Sequence, residues 1–377
     1  MNADVVVVGG GAAGTATALA LHRLGASVIV IDRSIPHPVL AESLPPRATP
    51  LLRDLRLWTD FLASGQRPLY GNRSTWGSQN SMDTDFIRSP HGTGWRLDRP
   101  AFDRLLTHAL DTHHIGKMDR TRLLQVERGS ATHWSLIASR CGVRTRLGAD
   151  VLIDASGRSR QVSRLLGVPR LAYDRLIGMI GILESNADVT EHASIIEIEA
   201  VPDGWWYASL LPDGRLLAGY MTDVDNPTAR IAGRRDGWLV LLRRAHRLSE
   251  WARKHGYTFT GSVRRVAANS SRPATATGAG WCAVGDAGAA HDPLSSHGIV
   301  SALETGRRAA EAIAGSAGGG LAAYDEFLKD SYARYLAEWL SYYALEVRWS
   351  QQEFWQRRHQ ALRDILSEDP RRSGSIS

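Results

Sequence analysis

The stretch that most limits how this chain can fold is its first 32 residues. Val5 to Val8 is a continuous apolar run, so residues 4–8 read as a parallel strand buried on both faces. Gly9-Gly10-Gly11-Ala12-Ala13-Gly14 follows and fits the spacing G-x-G-x-x-G. Residues 15–24 have helical character, and Gly25 stops them. Residues 27–31 form a second strand, ended by Asp32. Each part has a physical task. Gly9 makes the tight turn, Gly11 lets the backbone approach a pyrophosphate, and Gly14 lets helix and strand pack closely. Phosphates belong at the positive end of the helix, against N–H groups with no intrahelical acceptor, among them that of Ala13. Asp32 can accept hydrogen bonds from a ribose diol, and Arg33 follows it at the same strand end. Strand, turn, helix and acid together predict a dinucleotide site. They do not separate FAD from NAD.

A second segment points to FAD. Residues 281–284 form a short apolar strand leading into Gly285-Asp286-Ala287-Gly288, then Asp292-Pro293-Leu294-Ser295-Ser296-His297-Gly298-Ile299 and a small-residue helix over 300–313. Here the sequence resembles the flavoprotein monooxygenase and flavin-dependent halogenase superfamily, whose pattern runs G-D-A, D-P, G-[IV]. The resemblance implies that Asp286 holds the ribityl chain. It also implies that the helix after Gly298 and Ile299 points its N-terminus at the flavin pyrimidine ring, where reduced flavin carries negative charge. Trp95-Arg96-Leu97-Asp98-Arg99-Pro100-Ala101-Phe102-Asp103 looks like the family's R-x-x-F-D helix start, with Asp98 as cap and Pro100 in the first turn. By resemblance, Arg99 contacts the FAD diphosphate or ribityl region. Asp154-Ala155-Ser156-Gly157-Arg158-Ser159 looks like the family's D-A-[TS]-G-x-S turn and is read as mainly structural. Position alone makes 122–126, with Leu124, the strand bordering the adenine.

These anchors predict an α/β chain, α+β overall. A Rossmann-like FAD-binding domain (1–70, 95–170 and 275–325) is interleaved with an antiparallel-sheet substrate domain (71–94 and 171–274). A C-terminal helical region (326–368) and a polar tail (369–377) follow. Residues 75–78, 176–183 and 193–200 read as strands. Gly204 to Leu211 and Arg215 to Met221 read as a hairpin, because Pro212-Asp213-Gly214 supplies the turn chemistry. Residues 234–253 and 322–359 read as helical.

Composition narrows the classes. At 43% hydrophobic and 22% charged, the 377 residues suit a globular protein with two packed domains. The net charge of +6 comes without a dense basic run and interleaved aromatics, so no nucleic-acid partner is expected. No run of about 18 apolar residues predicts a membrane span, and no export leader is evident, so a cytoplasmic protein is expected. Cys141 and Cys282 are too few and too far apart for a disulfide framework or a metal site.

For the chemistry, the resemblance implies oxygen transfer to an electron-rich aromatic substrate through a flavin C4a-hydroperoxide in a dry pocket. The hairpin from Trp205 to Tyr220, lying over the flavin, is expected to form one wall, and the Asp292–His297 loop to lie beside the flavin. His297 is the acid/base candidate, since its unperturbed pKa lies near neutrality. Pro293 shapes the cavity, and Ser296 is a further active-site candidate, although Ser295 and Ser296 can equally cap the following helix. Halogenation is the competing chemistry, but the family's halogenases place a lysine in the N-terminal third, and here no lysine precedes Lys117. Their W-x-W-x-I-P motif is also missing. A reductase or dehydrogenase of the geranylgeranyl-reductase type, and a non-catalytic FAD-binding protein, remain as alternatives. Glu42-Ser43-Leu44-Pro45-Pro46, with Tyr342 to Trp349 and Phe354 to Arg358, is similar to flavoproteins that mature tryptophylquinone cofactors. That resemblance implies a tryptophan of a partner protein as substrate, with Glu42 and Ser43 beside the flavin; a small natural product is the competitor. The aromatic C-terminal stretch reads equally as core helix or partner surface. No second G-x-G-x-x-G frame occurs, so NAD(P)H and a partner flavin reductase both stand as electron source.

Overall fold

The computed structural model describes residues 1–35, 42–130, 133–185, 195–315 and 320–368. The chain has a mixed α/β architecture with two compact units. The first comprises Met1–Arg67, Trp95–Tyr173 and Ser270–Tyr332; the second comprises Pro68–Gly94, Asp174–Asn269 and the chain from Ala333 onward. Residues 326–368 therefore do not make a third region: those up to Tyr332 belong to the first unit and the rest to the second. The tail 369–377 lies outside the described residues.

The first unit is built on β1 (Asn2–Val8), α1 (Ala12–Arg23), β2 (Val28–Ile31), α2 (Arg99–Thr112), β3 (Gly116–Met118), β4 (Val143–Asp154), β5 (Trp281–Ala283) and α3 (Gly298–Ile313). The five strands are parallel in the order β3-β2-β1-β4-β5. The apolar run Val5–Val8 sits at the centre, at most 2% exposed, as a strand covered on both faces requires. From β1 the chain winds out to β2 on one side and later returns to β4 on the other, so the order reverses at the C-terminal end of β1. In open sheets of this kind that edge is where ligands bind. Two antiparallel strands, Thr121–Ser130 and His133–Arg140, extend the sheet from β4. Helix α1 packs on α3 and α2 packs on α1. The first contact is close because a side chain at Gly306 would lie 2.6 Å from the Ala13 carbonyl oxygen.

The second unit centres on a seven-stranded sheet among the described residues. Leu176–Leu183 forms a strand with the bounds expected from the sequence. Gly204–Leu210 and Leu216–Asp223 form the expected hairpin, turning at Gly214 with φ +84°. The strand expected over 193–200 is described as Ile195–Val201; residues 193 and 194 lie outside the described residues. The strand expected at 75–78 lies earlier, at Gly71–Thr75.

Two helices expected to be continuous are broken. Residues 234–253 divide into Arg235–Arg244 and His246–Lys254, with Ala245 extended between them. The break is fixed from outside the segment: the buried Glu199 carboxylate accepts hydrogen bonds from the N–H groups of Arg247 (3.0 Å) and Leu248 (2.9 Å) and so caps the second helix. Residues 322–359 divide into Gly320–Ala344 and Glu353–Glu368. In the break, the fully buried Glu346 carboxylate accepts from the N–H groups of Gly77 and Arg348. The aromatic stretch is mostly core. Tyr343, Phe354 and Trp355 are fully buried, whereas Tyr342 is exposed. No described helix is long and apolar enough to cross a membrane.

Candidate functional site

Backbone hydrogen bonds carry the parallel sheet one residue past its strands. Gly9 N–H donates to Ile31 (2.8 Å), Asp32 to Met118 (3.0 Å), Ala155 to Val8 (2.9 Å) and Val284 to Asp154 (2.9 Å). Four loops therefore leave one edge side by side. Gly9 turns with φ +118°, and a side chain there would meet the Ala155 carbonyl oxygen at 2.2 Å. At Gly14 the same atom would stand 1.8 Å from the Gly9 carbonyl oxygen, so the helix can start this close to the strand only with glycine. The half-buried Asp32 carboxylate lies against Gly10, where a Cβ would be 3.0 Å from Oδ2. Thr121 N–H donates to the Asp32 carbonyl at 2.8 Å and fastens the start of the strand that carries half-buried Leu124. Arg33 is exposed.

The second glycine segment packs directly on the first. A Cβ at Gly285 would lie 2.7 Å from that of Ala13, and Gly285 N–H donates to Thr305 Oγ1 at 2.8 Å. Asp286 Oδ2 is 3.4 Å from Arg158 Nε, and Arg158 Nη2 donates to the His291 carbonyl at 2.7 Å. Arg158, read from the sequence as part of a structural turn, thus ties the loops after β4 and β5 together. No local signal singles it out.

The Asp292–His297 loop is held from within. Buried Asp292 accepts from Leu294 N–H at 2.9 Å, and Ser295 Oγ donates to the Asp292 carbonyl at 2.7 Å. Pro293 is exposed in the short turn, and Ser296 takes a left-handed conformation with φ +48°. Neither serine caps α3. Its N-cap is His297, with no side-chain cap and no acid in the first turn. Gly298 begins the helix exposed, and Ile299 is buried. His297 Nδ1 lies 2.8 Å from the Ser295 carbonyl. A carbonyl can only accept, so Nδ1 carries hydrogen in either charge state and Nε2 is the nitrogen that gains or loses a proton. The His291 ring lies against His297 with centroids 5.8 Å apart. Burial, followed by the charges of His297, Arg158 and Arg47, pushes the His291 pKa down to about 3, so His291 is neutral at neutral pH.

Arg99 is already engaged. Nη1 donates to both carboxylate oxygens of half-buried Glu42 (2.8 and 2.7 Å) and Nε donates to Asp103 (2.8 Å). Burial works against its charge, but the two carboxylates outweigh it and push the Arg99 pKa up. Ser43 pairs in an antiparallel bridge with Arg96, a residue to which sequence reasoning assigned no role.

The group these residues fit is a dinucleotide carrying phosphates. Helix α1 starts at Gly11 with no side-chain cap and no acid in its first turn, and a Cβ at Gly11 would meet nothing within 4 Å. Helix α2, in contrast, is closed by its own Asp98, which accepts from Ala101 N–H at 3.0 Å. Open N–H groups at α1 and α3 suit anionic groups, and Asp32 suits a ribose.

Comparisons with known proteins agree. The chain is similar to the putative FAD-dependent oxidoreductase LodB of Marinomonas mediterranea, 27% identical over 362 residues, spanning 94% of this chain and 96% of that protein. Among solved structures it is similar to the flavin-dependent halogenase CmlS, with TM-score 0.83, 23% identity, and 98% of this chain and 71% of that chain covered. It is also similar to the peptidyl tryptophan dihydroxylase QhpG, essential for tryptophylquinone cofactor biogenesis, with TM-score 0.69, 23% identity, and coverage of 95% and 79%. The structural likenesses establish a shared fold. Residues 2–325 match the model of the FAD binding domain family, and the chain belongs to that family as an FAD-dependent oxidoreductase.

Proposed function

We propose that this flavoprotein is a monooxygenase that hydroxylates an electron-rich aromatic ring, specifically a tryptophan side chain in a partner protein. The observation that carries the reading is the lysine inventory within a fold shared with halogenases. The first lysine is Lys117, which is half-buried and whose ammonium pairs with Asp119 at 2.9 Å. An amine to receive hypohalous acid is therefore not supplied from the N-terminal third. Bound FAD, reduced by NAD(P)H or by a partner flavin reductase, supplies the electrons that place one atom of dioxygen on the substrate and reduce the other to water. The chain's own residues position and exchange protons. His297 is held by Ser295 so that Nε2 takes up the ring proton lost when the aromatic carbon gains its hydroxyl. Neutral His291 beside it adds no competing charge. Asp292 fixes the loop, and Pro293 and Ser296 shape it at the start of α3. The fold shared with the peptidyl tryptophan dihydroxylase QhpG supports a protein substrate.

The test uses purified FAD-loaded protein, NADH with a flavin reductase, and isotopically labelled dioxygen. The substrate offered is the unmodified precursor of a tryptophylquinone enzyme. One or more labelled oxygen atoms on a tryptophan of the precursor is the expected result. Brominated tryptophan formed on adding bromide, or turnover with an alkene or quinone acceptor and no label in any aromatic product, would overturn the reading.

A further inference from the structure

Arg96 and Arg99 stand three residues apart in opposite electrostatic states. Arg99 is clamped by Glu42 and Asp103. Arg96 is 4% exposed, its Nε has no hydrogen-bond partner, and no carboxylate pairs with it among the described residues. The strand alternation explains its position. Leu44 and Trp95 form one pair of the Ser43–Leu44 ladder, and Trp95 packs on Trp58 and Phe61, with centroids 5.9 and 5.4 Å away. Ser43 and Arg96, the adjacent pair, face the other way. The one charge that acts on Arg96 beyond burial is that of Arg67, of the same sign, and the two lower its pKa to about 10, with burial the larger cause. The guanidinium is thus still charged at neutral pH. A buried, uncompensated cation is costly, and native proteins keep one where something else supplies the counter-charge.

The ladder's surroundings indicate what does so. Ser43–Leu44 leads into the short helix Ala48–Asp54, which packs on α3. Arg96 leads into α2, which packs on α1. Each strand of the ladder therefore runs into a helix that packs on one of the two helices whose uncapped N-termini suit an anionic ligand. Arg99 acts as a positioning residue: it holds Glu42, whose carbonyl accepts from Leu97 N–H at 2.9 Å and keeps the ladder in register. We propose that Arg96 is the built-in cation for an anionic group of bound FAD, either its diphosphate or its ring when reduced. The proposal rests on FAD binding alone and stands whatever substrate the enzyme oxidises.

Arg96→Met and Arg96→Lys test it through three measurements: the FAD dissociation constant of the apoprotein, the two-electron midpoint potential of the holoprotein, and the urea midpoint of the apoprotein. If the diphosphate is the partner, Arg96→Met weakens binding of oxidised FAD by ~10-fold or more and leaves the potential in place. If the reduced ring is the partner, oxidised FAD binds as before. Tenfold weaker binding of the reduced form then lowers the potential by about 30 mV. Either result supports the proposal, with Arg96→Lys intermediate. The apoprotein of Arg96→Met is expected to resist urea at least as well as the parent, since it no longer buries an unpaired charge. Unchanged affinity and potential overturn the proposal, as does a loss of FAD matched by an equal loss of apoprotein stability. Arg96→Lys keeps the measurement readable should Arg96→Met not fold.

Discussion

Two arginines are buried to nearly the same depth in the two units, Arg358 at 3% exposure and Arg96 at 4%. In the second unit, Arg358 Nη2 donates to Asp223 at 2.9 Å and Nη1 to the Phe354 carbonyl at 2.8 Å, with the guanidinium 3.5 Å from the Phe354 ring centroid. In the first unit, Arg96 has no carboxylate among the described residues. Helix ends repeat the contrast. The helix His246–Lys254 of the second unit is closed by Glu199, whereas α1 and α3 of the first begin with no side-chain cap. The second unit neutralises these groups with its own residues. The first leaves a cation and two helix starts for a ligand to complete. Burial alone therefore does not distinguish structural from functional charge; the presence of a counter-charge does.

The largest expected effect is on the closed side. Asp223→Ala leaves Arg358 unpaired in the core and should cost about 3–5 kcal/mol. Urea unfolding should show the same loss with and without FAD. A loss under about 1 kcal/mol would mean that Arg358 does not depend on its carboxylate, and the contrast with Arg96 would collapse.

Next is the response to pH, where the units lean in opposite directions. Burial, opposed by Arg73, raises the Glu197 pKa to about 7. A raised folded-state pKa contributes stability below the unfolded value, and that stability is lost as pH rises through about 7. Glu197→Gln should therefore gain about 1–2 kcal/mol at pH ~8, the shift being discounted for partial exposure. His291, with its pKa depressed to about 3, stays neutral when folded, while in the unfolded chain the imidazole takes up a proton below its ordinary pKa of 6.5. Stability is lost as pH falls below that value, and His291→Gln should remove that acid sensitivity. Thermal unfolding of both variants at mildly acidic and mildly alkaline pH checks the signs. Shifts in the same direction would remove the distinction.

The smallest effects concern the helix ends. Asp98→Ala should cost about 1 kcal/mol by uncapping α2. Gly11→Asp caps α1 and should stabilise the apoprotein by no more than a few tenths of a kcal/mol, yet empty the purified protein of flavin by placing an anion where phosphates belong. Absorbance of the isolated variant reads this out, and retained flavin would argue that the start of α1 is not the phosphate seat.

Much of the first unit was legible because its signals are local. The apolar run Val5–Val8, the glycines at 9 and 14 and the acid at 32 each act on residues a few places away, so their spacing encodes the turn, the helix start and the strand end. The same holds for the Asp213-Gly214 hairpin and for Asp98 as the cap of α2. Gly285 and Ala13 are far apart in sequence, but they came together because each belongs to a segment with its own local pattern.

What escaped the sequence depends on partners from distant elements. The breaks at Ala245 and over 345–352 are set by Glu199 and by the contact of Glu346 with Gly77, which no helical period reports. The packing of Trp205 and Trp206 in the second unit's interior, where Trp205 Nε1 donates to Tyr343 Oη at 2.8 Å and Trp206 meets Trp238, is likewise set by residues far along the chain. Arg99 carries the family-like motif, yet tertiary structure hands it two carboxylates; Arg96, outside any motif, is left with none. The sequence by itself determined the dinucleotide frame, since backbone geometry is written in glycines and strand periodicity. Only the tertiary structure decided which buried charges are answered, because a counter-charge is a matter of distance in space and not of spacing along the chain.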